Sequence, residues 1–121
     1  MDERAIVLVD LSALSYEDGA FIGALFTSTY FAAARKRPPL KSARHRLILD
    51  EAESLVTLAV SRMLDQTAKT GLLVTSAVQR LGQLRARGDF VADALFSNAA
   101  VKIAFGGLEP ESANYVARMF F

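Results

Sequence analysis

The sequence predicts an α/β domain in which a parallel sheet of about four strands carries helices on both faces. Three observations lead to this prediction: four short apolar runs occur along the 121 residues, each is followed by a helix-like pattern, and 52% of the chain is hydrophobic. Strands that alternate with helices favour a parallel sheet, because parallel strands need crossover connections. The length suffices for one domain with a sizeable core, but not for two.

The first apolar run, residues 5–10, is predicted to be a strand because it is apolar on both faces, as in a strand covered on both sides. Ser15 and Asp18 then resemble a capping box at the start of a helix. The apolar residues of that helix fall on one broad stripe, which we expect to be buried: Phe21, Ile22, Leu25, Phe26, Tyr30 and Phe31. Basic residues at 35–37 suit the C-terminus of the helix, and a Pro-Pro pair ends it.

Three further apolar runs are predicted strands, at residues 46–50, 72–77 and 101–105. Helices are predicted over residues 52–70, from Gln79 to a break at Gly88, over residues 90–96, and from Pro110 to Phe121. Gly71 suits the position after a helix C-terminus, where a left-handed backbone is common. Pro110 suits a first helical position, because the amide hydrogen it lacks would have no partner there.

Composition narrows the function classes. The chain has 14 basic and 13 acidic residues, so no overall field points to nucleic acid, and any contact with a polyanion must come from a local patch. The basic connection at residues 35–46 is such a patch, although a solvated helix end and linker is the simpler interpretation. The absence of cysteine excludes disulfides, thiolate metal sites and a cysteine nucleophile. The longest uncharged run, residues 19–34, is shorter than the roughly 20 apolar residues of a membrane span.

Polar side chains directly follow the second and third predicted strands. Asp50 and Glu51 follow the second strand, and Gln79 comes just beyond the third. The carboxyl ends of parallel strands meet at one edge of a sheet, where ligands bind, so we expect these residues to share a crevice. An apolar run followed by Asp-Glu is the Walker B pattern of P-loop NTPases: a buried strand holds Asp50 to orient Mg²⁺, and Glu51 polarises a water. The alternative is that the acids lie at an exposed strand end and that Gln79 only opens a helix.

Three segments, in this order, resemble one family: RLILDEAESL, VQRLGQL and SNAAVKIAF. With their flanking sequence, from about residue 5 to residue 121, they look like the C-terminal half of FtsK/HerA-type DNA-pumping ATPases. The likeness is greatest to the conjugative coupling proteins of type IV secretion, the TraD/TraG-like ATPases. It implies that Asp50 orients Mg²⁺ through water, that Glu51 is the catalytic base, and that Gln79 is a strand-end sensor. At the positions where family members often carry an arginine, this chain has other residues. The candidates for a trans-acting arginine are therefore Arg85 and Arg87.

The resemblance also implies a particular domain organisation. Residues 1–121 would form a single partial ATPase domain of the RecA-like P-loop class, from the Walker B strand to the C-terminal strand and helix. No GxxxxGK[ST] motif occurs in the chain, so we expect the metal half of a nucleotide site without the phosphate half. The missing Walker A strand would lie between the third and fourth runs, leaving them either separated by a gap or newly paired.

Expectations about ligands and partners come from the same resemblance. ATP and Mg²⁺ would serve the complete protein, and neither is expected to bind tightly to this chain alone. The complete protein would bind DNA, assemble as a homo-hexamer, and contact secretion-channel or relaxosome proteins. It would work in the cytoplasm, at the inner face of the membrane, through regions outside these residues.

Two other function classes stay open on the sequence. The first is a different additional-strand ATPase, such as a protein secretion or pilus motor, because a Walker B region serves any polymer substrate. The second is a non-catalytic doubly wound signalling module that accepts a phosphoryl group on a strand-end aspartate. Such a module needs an acidic pair after the first strand and a lysine after the last, whereas this chain has Asp10 alone and then Gly106 and Gly107.

Overall fold

The computed structural model describes residues 5–36, 45–66 and 70–120. Within these residues the helices are α1 (Tyr16–Arg35), α2 (Ala52–Leu55), α3 (Leu58–Leu64), α4 (Leu81–Ala86), α5 (Asp89–Asn98) and α6 (Pro110–Phe120), and the strands are β1 (His45–Leu49) and β2 (Leu72–Ser76). This mixture of helices and parallel strands confirms the predicted α/β class. The Pro-Pro pair predicted to end α1, most of the basic connection and Phe121 lie outside the described residues.

The two strands pair in parallel. His45 lies opposite Leu72 at one end of the register, and Leu49 lies opposite Ser76 at the other. The chain between the strands includes α2 and α3, as a parallel crossover requires. The carboxyl ends of both strands therefore reach the same edge of the sheet, which is where the candidate residues were expected.

The predictions of strands at residues 5–10 and 101–105 are wrong, since the described part of the chain has a sheet of two strands instead of about four. Ile6 is 100% exposed and Leu8 is 90% exposed, and Ile103 and Phe105 are also exposed. A strand is stable only when its backbone groups pair with a neighbour and its side chains are covered. Neither run has a strand partner in the described residues, and the third and fourth runs are not paired with each other.

The hydrophobic core lies where α2 to α5 cover one face of the two strands. On the other face Ile48 and Leu73 are exposed, so the prediction of helices on both faces of the sheet is wrong for the described residues. The buried members of the core are Leu49, Ala52, Val56, Val60, Leu81, Leu84, Val91 and Ala92. Tyr115 and Val116 of α6 pack against this cluster. The core thus fixes the strand ends and the turns that follow them, since close-packed interiors leave little room for displacement.

The helix α1 buries a different face from the predicted one. Ser15 caps it as expected, because its Oγ accepts a hydrogen bond from the Asp18 amide at 3.1 Å. The buried positions are Gly19, Gly23, Thr27, Phe31 and Ala34. Phe31 was predicted correctly at 1% exposed, but Phe21 is 70% exposed and Phe26 is also exposed. A Cβ at Gly23 would overlap the end of the Leu55 side chain, so α1 packs closely on α2 at this position.

The helix predicted over residues 52–70 is interrupted. The helix α2 ends at Leu55, and Val56 has an extended backbone. Thr57 then caps α3, its hydroxyl accepting from the Val60 amide at 3.4 Å. A threonine hydroxyl that offers this bond favours a new helix start over a continuous helix. Across the described ranges, none of the helices combines the length and the apolar character needed to span a membrane.

Candidate functional site

The strand ends are joined by a continuous set of backbone hydrogen bonds. The Ala77 amide donates to the Leu49 carbonyl at 2.9 Å, which extends the ladder by one residue beyond β2. The Ala52 amide, in the first turn of α2, donates to the Ala77 carbonyl at 2.9 Å. Asp50 and Glu51 therefore lie on a short turn that is tied to the segment leading to Gln79.

Glu51 has an unusual backbone conformation. Its φ and ψ are 49° and 48°, which places a residue with a side chain in the left-handed region. That conformation costs about 1–2 kcal/mol for an L-residue. Two contacts help to hold it: the Glu51 amide donates to Asp50 Oδ1 at 3.0 Å, and the Ser54 hydroxyl donates to the Glu51 carbonyl at 2.8 Å. Strain of this kind is concentrated at functional sites, so the turn is a candidate on geometry as well as on sequence.

The structure brings together two residues that the sequence singled out independently. Gln79 Nε2 donates a hydrogen bond to Glu51 Oε1 at 3.2 Å, across a sequence separation of 28 residues. Both side chains are exposed, as is Asp50. The amide therefore orients one oxygen of the carboxylate while solvent reaches the pair, which is an arrangement that can position a water molecule.

Glu53 was not selected from the sequence, yet it is the most deeply buried acid of this edge. Its side chain lies in the first turn of α2 and is 4% exposed. Its Oε1 accepts hydrogen bonds from the backbone amides of Gln79 and Arg80, each at 3.2 Å. The sequence offered no clear signal, because an acid in the first turn of a helix is common for dipole reasons alone.

The two candidate arginines have different surroundings. Arg85 Nε lies 3.1 Å from Asp89 Oδ1 and its Nη1 lies 3.0 Å from Glu111 Oε1, while its guanidinium stands 5.1 Å from the centre of the Tyr115 ring. The hydrogen bond to Asp89 raises the pKa of Arg85 above its usual value. Arg87 is exposed, one residue beyond α4. Arg85 is thus engaged in contacts between helices of its own chain, and a trans-acting role for either residue stays a prediction.

An open cleft of about 490 Å³ adjoins the Glu51–Gln79 pair. It lies between the start of α4 and the start of α6, and its lining residues are Gln79, Arg80, Gly82, Gln83, Gly107, Leu108, Glu109 and Ser112. Five of the eight lining residues have polar side chains, and one of these, Arg80, is cationic. Because Gln79 belongs to both features, a molecule in the cleft would be within reach of the strand-end carboxylates.

The residues present fit only part of a magnesium–nucleotide site. Asp50 uses Oδ1 for the Glu51 amide, so its second oxygen is available to a hydrated cation. Within the described ranges, no cluster of three or more acidic or histidine side chains could hold a metal ion by itself. A cation at Asp50 would therefore need ligands from outside the described residues.

These features define an α/β domain with an acidic site at the carboxyl edge of a parallel sheet. A family model described as the TraM recognition site of TraD and TraG matches residues 44–120. The chain belongs to this family, which relates it to the conjugative coupling proteins and confirms that part of the predicted resemblance. No curated protein and no solved structure matches the chain.

Proposed function

We propose that this chain is the Walker B-containing part of an ATP-driven motor that moves DNA during conjugation. Membership of the TraD and TraG family supports the conjugative setting. The observation that carries the catalytic part is the 3.2 Å hydrogen bond between Gln79 and Glu51, beside Asp50 at the shared edge of the sheet. The same proposal includes a relationship to FtsK/HerA-type ATPases, a RecA-like domain organisation and assembly into a hexamer.

Each strand-end residue has a separate role in the proposal. Asp50 would hold a hydrated Mg²⁺, and Glu51 would accept a proton from the attacking water. Gln79 holds the Glu51 carboxylate and contributes a second polar group to the water site. When bound, the magnesium–ATP complex supplies the phosphoryl group and the charge compensation for its transfer.

In this proposal the chain by itself holds only part of the nucleotide site. No GxxxxGK[ST] motif is present, so the backbone cradle and the lysine that hold the β- and γ-phosphates must come from other residues of the motor. We expect the purified 121-residue chain to hydrolyse ATP negligibly. Turnover by the chain that disappears in the Asp50→Asn variant would contradict this assignment of the two halves of the site.

The metal half can be tested directly with the chain. Addition of Mn²⁺ to a ¹⁵N-labelled sample should broaden the amide signals of residues 50–52 and 79 before others, and Asp50→Asn should remove this selectivity. Asp65→Asn is the matched control, because Asp65 is an exposed acid at the C-terminal end of α3 that accepts a hydrogen bond from Asn98. Broadening that is unchanged in Asp50→Asn, or lost equally in Asp65→Asn, would count against Asp50 as the metal-orienting residue.

A second candidate function follows from the description of the family. We infer that residues 44–120 contribute a surface that recognises a relaxosome protein of the TraM type. Calorimetric titration of the chain with such a protein should give saturable binding, with and without Asp50→Asn, because recognition does not require the acidic site. If binding is absent while Mn²⁺ selectivity is present, the catalytic proposal stands and the recognition proposal fails.

The polymer substrate distinguishes the DNA motor from a protein secretion or pilus motor. The complete motor should bind DNA with an affinity that falls steeply as salt rises, because phosphate contacts release counterions. If the complete motor does not bind DNA, or binds it with an affinity that does not depend on salt, the protein-transporting alternative would be favoured.

A further inference from the structure

We propose that Glu53 is a positioning residue that fixes Gln79 against Glu51. The proposal rests on the proposed function, because it concerns how the candidate catalytic base is held. Glu53 has three relevant properties: it is buried, it belongs to the same first turn of α2 that follows Glu51, and it bonds to two consecutive amides of the opposite segment. None of the comparisons and no sequence motif assigns it a role.

Burying a carboxylate at the position of Glu53 would be unfavourable if its only role were packing. Among the described residues, Glu53 takes part in no ion pair. The cost of burying its charge is offset there by the two hydrogen bonds that backbone amides donate to Oε1. Its other oxygen, Oε2, is buried and has no hydrogen-bond partner among the described residues. Burial of an acid without a cation is strongly unfavourable, and an apolar residue of similar size would pack at less expense.

The two amides that Glu53 binds determine where the Gln79 side chain lies. Gln79 is outside both β2 and α4, so regular secondary structure does not fix its backbone. Glu53 Oε1 receives the amides of Gln79 and Arg80 together, which pins this junction to the start of α2. From that position Gln79 Nε2 reaches Glu51 Oε1. Glu53 thus acts on Glu51 through Gln79, without touching the site where water or phosphate would bind.

Nuclear magnetic resonance of the 121-residue chain tests this role without any nucleotide. In Glu53→Ala and Glu53→Asp we expect the Gln79 side-chain amide signals to move to the positions they take in Glu51→Ala, where the acceptor is gone. The backbone order parameters of Gln79 and Arg80 should fall from about 0.85 to below about 0.6. Glu53→Gln keeps an Oε1 acceptor and should retain the native Gln79 signals.

The controls separate positioning from general loosening. Tyr115→Phe removes the bond from Tyr115 to Asp93, away from the strand ends, and should leave the Gln79 side-chain signals unchanged. Glu53→Asp keeps the charge and shortens the side chain, so it gives a folded readout if Glu53→Ala does not fold. Native Gln79 signals in a folded Glu53→Ala or Glu53→Asp chain would overturn the proposal, as would an equal change in Tyr115→Phe. If the wild-type chain shows no Asp50-dependent Mn²⁺ effect, that result would instead count against the proposed function alone.

Discussion

The strands β1 and β2 differ from residues 5–9 and 101–105 in burial, although all four segments are rich in apolar residues. Leu49 and Leu72 are buried, whereas Leu8 and Ile103 are exposed. The two strands pair with each other and are covered by helices on one face, while the other two runs have no strand partner in the described residues. Pairing and cover, rather than β propensity, therefore decide which run becomes a strand.

The largest expected effect tests this difference by removing the same side chain from each kind of segment. Leu49→Ala should lower the free energy of unfolding by about 2–5 kcal/mol, because it leaves a cavity in the core. Leu8→Ala should change it by less than about 0.5 kcal/mol, since the side chain is already in solvent. Urea denaturation followed by circular dichroism measures both. A loss at Leu8 comparable to that at Leu49 would show that residues 5–9 are packed in solution.

A smaller effect is expected where α1 packs against α2. A Cβ at Gly23 would overlap the end of the Leu55 side chain, which would have to leave its preferred rotamer at a cost of about 0.5–1.5 kcal/mol. A Cβ at Gly19 would be 3.7 Å from the Leu11 carbonyl oxygen, an ordinary contact. Gly19→Ala should therefore stabilise the chain by about 0.5–1 kcal/mol through helix propensity.

Thermal unfolding of the two alanine variants compares two buried positions of α1 that differ in how closely they are packed. Gly23→Ala should be less stable than Gly19→Ala by about 0.5–1.5 kcal/mol, because both gain helix propensity and only Gly23 requires the Leu55 side chain to shift. Equal stabilisation by the two substitutions would mean that α1 does not pack closely on α2.

The strand-end turn gives an effect of about 1 kcal/mol. Glu51→Gly and Glu51→Ala both remove the side chain that accepts from Gln79, but only glycine adopts the left-handed backbone without a steric penalty. The glycine variant should thus be more stable than the alanine variant by that amount in urea denaturation. If alanine is the more stable of the two, the turn at Glu51 is not left-handed in solution.

Sequence reasoning succeeded where a local pattern and the tertiary environment agreed. The run that ends at Leu49 has both β propensity and a partner, so its strand and the placement of Asp50 were predictable. The proximity of Glu51 and Gln79, though not their hydrogen bond, was expected from the rule that parallel strand ends share an edge. In contrast, the runs at residues 5–10 and 101–105 have the same local pattern, but that pattern does not indicate whether a neighbouring strand exists.

Other errors have specific physical causes. The face of α1 was assigned by its large apolar residues, but the helix packs closely on α2 through the face that holds Gly23, which leaves Phe21 exposed. Glu53 could not be distinguished from an ordinary first-turn acid, because its role depends on the Gln79 and Arg80 amides that only the folded chain brings close. Long-range contacts between backbone and side chain leave little trace in a single sequence.

The smallest expected effect concerns how α6, which follows the exposed run at residues 101–105, is attached. Tyr115 donates to Asp93 at 2.9 Å, and burial together with this bond raises the pKa of Tyr115 to about 12 from a usual 10.0. The neutral phenol is therefore favoured in the folded chain. Its contribution to stability is complete below pH 10 and is lost as the pH rises towards 12.

Urea denaturation at pH 9 and pH 11.5 measures this contribution, with Tyr115→Phe and Tyr30→Phe as matched variants. The wild type and Tyr30→Phe should lose more stability over this interval than Tyr115→Phe, which has no phenol at that position to ionise. Ionisation of lysines and other tyrosines is common to the chains being compared and largely cancels. An identical loss in Tyr115→Phe would show that α6 is not held to α5 through this hydroxyl, and the attachment would then depend on Arg85 and the apolar contacts of Tyr115 and Val116.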